Sequence, residues 1–242
     1  MDYTIANTPV TTTTSALLEQ LGADASEVKA VWYAFPQACF VSAAHFGDEL
    51  EVSAPALRTY GKDDCMCDAL REVVGELRAA DECTCTFGHE GGYQLHTILT
   101  DACTKKGQPS DLALIRDLAP AMKAHAMCDE GKAMARATLQ ALELFADEIE
   151  PHFAKRQCPT SGCKAFQTYH ILVSKCTGCG KCLEACEDDA IMGKARFVHV
   201  VDQRKCSQCN RCLEACPEGA VVTAGANKPK TPPKPIPCKR KK

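Results

Sequence analysis

The sequence predicts an α+β chain in three parts, and three observations carry that prediction. Residues 11–62 mix one helix-like run with strand-like runs. From Asp63 to about Phe153, apolar residues recur at helical spacing in four series. Beyond residue 175, cysteines fall into two matching sets.

At 242 residues the chain has room for two or three small domains. A formal net charge of −3 creates no global field that would draw nucleic acid or a membrane surface. No run of eighteen apolar residues exists, so no membrane span is expected. The opening, MDYTIANTPVTTTT, lacks both the basic start and the apolar core of a signal peptide, so a cytoplasmic location is expected. Cysteine is the compositional signal, at 18 residues. In a reducing compartment that abundance points to metal rather than to disulfides.

Residues 1–10 read as a loose lead-in. Thr14 caps a short helix through Leu17, Leu18 and Leu21, ended by Gly22. Val28, Ala30, Val31, Trp32 and Phe35 read as a strand, and Leu50 to Val52 as another. The helical series are Leu70, Val73, Val74 and Leu77; Leu95, Ile98 and Leu99; Leu112, Ile115, Leu118 and Met122; and Met134, Leu139, Leu142, Phe145 and Ile149. Gly107, Pro109 and Gly131 punctuate them, which predicts an up-and-down four-helix bundle over 63–153. Residues 154–175 form a cysteine-bearing connector. Residues 176–223 contain an internal repeat, CTGCGKCLEACEDDAI against CSQCNRCLEACPEGAV, which implies two pseudo-symmetric halves. The Pro- and Lys-rich tail, 224–242, cannot build a core and is expected to be extended or disordered.

Each repeat spaces its cysteines C-x2-C-x2-C-x3-C. A loop with a cysteine at every third residue wraps three corners of an iron–sulfur cubane, and the fourth cysteine ligates the other cluster. One 4Fe–4S cluster is therefore assigned to Cys176, Cys179, Cys182 and Cys216, and a second to Cys206, Cys209, Cys212 and Cys186. Gly178 and Gly180 let the backbone approach sulfur closely. A pair of zinc sites is the competing reading, but zinc modules do not place four cysteines in eleven residues twice. Pro217 follows Cys216, whereas Glu187 follows Cys186. That extra carboxylate either shifts one cluster's potential or faces solvent.

The segment DDCMCDALREVVGELRAADECTCTFGHEGGYQLHTIL resembles the cluster-binding helical segment of the flavin subunit of NADH-quinone oxidoreductase. That segment is usually written D-E-S-C-G-x-C-x-P-C-R-E-G with a distal fourth cysteine. The chain also resembles the flavin subunit of electron-bifurcating iron hydrogenases, which adds a CP-x3-C connector and a double ferredoxin module. Cys158, Pro159 and Cys163 stand where that connector would be. The resemblance covers about 11–223 and implies a β-grasp (SLBB-type) unit over 11–62, a helical cluster bundle, and a two-cluster bacterial ferredoxin-like module.

Two departures shape the functional expectation. No glycine-rich phosphate loop precedes the β-grasp unit, so the chain is expected to bind neither FMN nor NADH. The bundle's cluster motif is also altered. Cys85 falls on the family's second cysteine, Cys83 on the first after a one-residue deletion, and Gly88, with His89 beside it, on the third; Cys128 matches the distal ligand. This set, Cys83, Cys85, His89 and Cys128, is read either as a third iron–sulfur cluster or zinc site or, preferably, as a decayed site kept as a scaffold. Cys65 and Cys67 lie nearby as substitutes.

His152, Cys158 and Cys163 suit a structural zinc, as the resemblance also implies, with Cys65 or His170 as the fourth ligand. Free thiols on a linker are the plain alternative. Cys39 and Cys103 read as small core residues. No catalytic residue is assigned. The expected function is an electron-transfer subunit of a multi-subunit oxidoreductase complex, with a flavoprotein or metalloenzyme subunit and a soluble ferredoxin as partners and no nucleic acid. The alternatives are a scaffold or assembly subunit, or one half of a split NADH-dependent flavin enzyme.

Overall fold

In the computed structural model, residues 1–5, 9–82, 84–225 and 228–238 are described. The chain divides into two units, Met1–Ala165 and Phe166–Lys242.

The first unit opens with strands β1 (Asp2–Thr4) and β2 (Val10–Thr13), helix α1 (Thr14–Gln20), and strands β3 (Val28–Tyr33), β4 (Cys39–Ser42), β5 (Glu49–Val52) and β6 (Ala56–Gly61). The sheet order is β1-β6-β3-β4, antiparallel throughout, with β2 and β5 paired separately. The lead-in is thus not loose where it is described, because Asp2–Thr4 add an edge strand to β6. The helix cap sits one residue earlier than expected: Thr13 accepts from the Ala16 N–H at 3.2 Å. Thr14 is instead fully buried, with its hydroxyl 3.0 Å from that of Tyr33. Leu18, Val31, Tyr33, Val52 and Leu57 form the core beneath α1.

Five helices follow, α2 (Met66–Ala80), α3 (Gly91–Cys103), α4 (Pro109–His125), α5 (Asp129–Leu144) and α6 (Ala146–Ala154), with a π-helical turn at Thr86–Glu90. The four-helix expectation fails at Phe145, whose backbone (φ −131, ψ 32) ends α5 and starts α6. Phe145 leaves the helical path to pack edge-on against Phe40, with ring centroids 6.1 Å apart. Of the predicted series, Met134, Phe145 and Ile149 are buried, but small residues complete the buried face of α5. Ala133, Ala135, Ala137 and Ala141 are fully buried, while Leu139 and Leu142 are only half-buried. Small side chains let α5 pack against both α2 and α4. Sheet and bundle are tied together by the Phe40 N–H donating to Gln140 at 3.0 Å and by a Lys29–Glu148 ion pair at 2.8 Å.

The second unit contains β7 (Thr168–Ile171), α7 (Lys181–Glu184), β8 (Ile191–Met192), β9 (Phe197–Val198), β10 (Val200–Val201), α8 (Arg211–Glu214), β11 (Val221–Ala224) and β12 (Ile236–Pro237). Two sequence expectations change here. Residues from Phe166 onward belong to this unit rather than to a connector, because β7 pairs antiparallel with β11. The tail is not structureless over its described part: β12 pairs with β9, and the Cys238 N–H donates to Arg196 at 2.9 Å. No described helix is long and apolar enough to cross a membrane.

Replacing Leu18 with alanine empties the apolar core under α1. The variant is expected to lose about 2–5 kcal/mol of stability, measured as a lower urea midpoint in the fluorescence of Trp32, the single tryptophan, on β3.

Candidate metal centres

Thiol positions in the second unit follow from a repeated backbone path. Gly178 and Gly180 take positive φ (70° and 88°), and so do their repeat counterparts Gln208 and Asn210 (63° and 68°). Gly180 and Asn210 cap α7 and α8, so each loop curls before a one-turn helix. The fourth cysteine of each repeat accepts a backbone N–H: Ala190 donates to Cys186 at 3.4 Å and Ala220 to Cys216 at 3.3 Å. Backbone donors of this kind stabilise thiolate and tune a cluster's potential.

The thiols group across the repeats. Burial, followed by Cys176, Cys216 and Cys179, pushes the Cys182 thiol up to about 12. Burial, followed by Cys206, Cys186 and Cys209, pushes Cys212 up to about 11. One cavity is lined by Cys186, Cys206, Cys209 and Cys212 together with Tyr169, Asp188 and Asn210. Cys216 is thus a neighbour of Cys182, and Cys186 of Cys206 and Cys212. Glu187, the departure from the repeat, forms an ion pair with Arg211 at the start of α8. Sequence reasoning missed two neighbours of the first set. His199, 1% exposed, holds Nδ1 3.8 Å from Cys182 Sγ. Cys238, delivered by β12, adjoins Cys176.

A second thiol group lies in the first unit. Cys65, His152, Cys158 and Cys163 are all buried, with ligand atoms within 4.8 Å of one another. Of the two expected fourth ligands the structure brings in Cys65. His170 instead sits on β7, with Nε2 2.8 Å from the Thr168 hydroxyl. Cys65 precedes the first turn of α2, His152 is on α6, and the 158–163 loop folds back over them. Gly162 permits this fold, since a side chain there would press on the Cys65 N–H and the Asp63 carbonyl.

The donor geometry matches tetrahedral zinc. His152 Nε2 is 3.4 Å from both Cys65 Sγ and Cys163 Sγ. A zinc with Zn–S near 2.3 Å and Zn–N near 2.0–2.1 Å sets such S···N edges at about 3.5 Å. Nδ1 of the same ring lies 2.8 Å from the Glu148 carbonyl, which fixes the tautomer and leaves Nε2 as the ligand atom. Burial opposes charge on His152, but Cys158 and Cys65 outweigh it and hold the ring at about 10. Cys163 and Cys65 in turn hold the Cys158 thiol well below its ordinary value.

The altered bundle motif is only partly assembled. Cys85 and Cys128 come together, Sγ to Sγ 3.7 Å, with the Gly88 N–H donating to Cys85 at 3.2 Å. His89 is exposed on the π-turn, and Cys83 lies outside the described residues. A side chain at Gly88 would collide with both sulfurs, so they occupy the space a third cysteine would need. Asp81 and Glu130 converge on Cys128, a convergence with no motif in the sequence.

Residues 72–152 match the NADH-ubiquinone oxidoreductase-F iron-sulfur binding region, and residues 170–223 match a 4Fe-4S dicluster domain. HndC, an NADP-reducing hydrogenase subunit of Solidesulfovibrio fructosivorans, is 32% identical over 57% of this chain and 28% of its own length. An NADH-quinone oxidoreductase subunit of Streptomyces coelicolor is 32% identical over 46% of this chain and 24% of its own. A subunit of the ion-translocating oxidoreductase complex of Pseudomonas paraeruginosa is 42% identical over 27% of this chain and 32% of its own. This chain therefore spans about a quarter to a third of these relatives. An NAD+-reducing [NiFe]-hydrogenase chain has a similar fold, with a TM-score of 0.53 and 11% identity over 59% of this chain and 26% of that one. Over these two stretches the chain carries an iron–sulfur binding region of the kind found in NADH-ubiquinone oxidoreductase-F and a 4Fe–4S dicluster domain, and it is similar there to subunits of NADH-quinone oxidoreductases and hydrogenases.

Proposed function

We propose that the chain relays electrons within a multi-subunit oxidoreductase complex in the cytoplasm, through two 4Fe–4S clusters in its second unit. The observation that supports it is where the fourth cysteines lie: Cys216 is among the thiols that raise Cys182, and Cys186 lines one cavity with Cys206, Cys209 and Cys212; in this reading the fourth cysteines cross. Cys216 joins the Cys176, Cys179 and Cys182 group, and Cys186 joins the Cys206, Cys209 and Cys212 group. When bound, the clusters pass single electrons. The protein's part is to supply eight thiolates, backbone N–H donors to Cys186 and Cys216, and a buried apolar floor that includes Tyr169, Ile171, Ile191 and Val221. The partners are a flavoprotein or metalloenzyme subunit and a soluble ferredoxin.

The Cys65–His152–Cys158–Cys163 group serves as a zinc staple in this reading. It joins the start of α2 to α6 and to the segment that leads out of the first unit. The Cys83–Cys85–His89–Cys128 region is a scaffold rather than a third cluster. Cys85 and Cys128 stand at the spacing of one metal's tetrahedral edge, and His89 points no further ligand into a buried site.

Anaerobically purified chain is expected to contain about eight irons, two four-iron clusters, and to show interacting paramagnetic centres when reduced. Zinc in place of iron after anaerobic reconstitution would overturn the relay reading, and about twelve irons would overturn the scaffold reading of the bundle site. In Cys186→Ala, electron paramagnetic resonance should show damage to the cluster held by Cys206, Cys209 and Cys212; damage confined to the sequence-adjacent cluster would break the crossing. NADH should leave the visible absorption of the purified chain unchanged while dithionite bleaches it. Stoichiometric FMN, or direct reduction by NADH, would return the chain to the catalytic class.

A further inference from the structure

The zinc staple does not stand alone in the bundle. The Asp68 carboxylate, Cys103 Sγ and Cys163 Sγ lie within 4.8 Å of one another. Cys67 Sγ stands 3.8 Å from Cys103 Sγ. Cys67 is fully buried, and Cys103 and Cys163 are 5% and 2% exposed. Local structure explains the convergence. The first turn of α2 delivers Cys67 and Asp68 just after Cys65, and Cys103 is the last residue of α3. From sequence alone Cys103 reads as a lone small core residue. Its surroundings are instead two cysteines and a carboxylate.

Cys163 belongs to both groups. A thiolate sulfur has enough lone pairs to bond two cations at once. We propose that Cys163 bridges two zinc ions, the first held by Cys65, His152, Cys158 and Cys163 and the second by Asp68, Cys103 and Cys163. The proposal rests on the zinc reading of the first group. Soft thiolates with one hard carboxylate suit zinc. Charge also balances closely. Four thiolates (Cys65, Cys103, Cys158 and Cys163) and Asp68 carry five negative charges, two zinc ions carry four positive ones, and Arg71 adds a fifth through its Nε, which donates to Asp68 Oδ1 at 2.7 Å. The second carboxylate oxygen remains for the metal. Each thiol that binds gives its proton to solvent, so no oxidant or reductant is needed.

The test uses the full chain, purified anaerobically with its clusters, dialysed against zinc alone and then against buffer. Elemental analysis should give about two zinc ions per chain in the wild type and about one in Cys103→Ala and in Asp68→Asn. Replacing zinc with cobalt(II) gives a second readout that does not depend on any variant folding. Two cobalt ions sharing a thiolate couple antiferromagnetically, so the wild-type magnetic moment per cobalt should fall below that of an isolated high-spin ion. Cys103→Ala should restore the isolated value. One zinc in the wild type, an unchanged zinc content in Cys103→Ala, or uncoupled cobalt in the wild type would each overturn the bridge. The first reading fails separately: it is lost if the wild type holds no zinc, and it survives without the bridge if His152→Ala loses a zinc that Cys103→Ala retains.

Discussion

Crowding cysteine sulfurs into a protein interior leaves each thiol protonated unless a cation takes the protons' place, because burial penalises bare thiolate and neighbouring thiolates repel one another. Both units are built around that constraint. In the second unit, burial and the facing cysteines push Cys182 and Cys212 upward, and the residual apolar core packs directly on Cys176, Cys186, Cys206 and Cys216. In the first unit, the sulfurs of Cys65 and Cys163 flank a single imidazole nitrogen at the same 3.4 Å. Metal binding in such places is folding free energy as much as function.

The two units solve the problem differently. The repeat brings sulfurs together locally, by a loop that curls through positive φ before a one-turn helix. The bundle gathers its sulfurs from the start of α2, the end of α3 and the loop after α6, and its imidazole from α6, so the packing of helices decides which ones meet. Glu148 links these levels. Its carboxylate accepts from Lys29 on β3 and from the Met66 N–H, and its carbonyl orients His152. A change in how sheet and bundle fit would therefore be felt at the metal-binding end of α6.

The altered motif around Cys85 shows how one residue type redirects a site. With Gly88 at the position of the third cysteine, the sulfurs of Cys85 and Cys128 lie 3.7 Å apart, and acidic side chains at Asp81 and Glu130 approach Cys128. Such a set suits one small cation better than two corners of a cubane. The matched family region thus retains its helical frame while its ligand chemistry has changed.

By itself the sequence determined the α+β class and the repeated cysteine module. Those features follow from local spacing. The helical series of the bundle were legible for the same reason, periodicity being local. Only the tertiary structure decided that α5 buries alanines rather than Leu139 and Leu142, that Phe145 breaks the last helix toward Phe40, and that β7 and β12 belong to the second unit. It alone chose Cys65 over His170 beside His152, set Asp68 and Cys103 against Cys163 and placed Cys67 beside Cys103. Those residues are separated by up to about a hundred positions, and side chains that far apart meet only through helix packing, which leaves no periodic trace in the sequence.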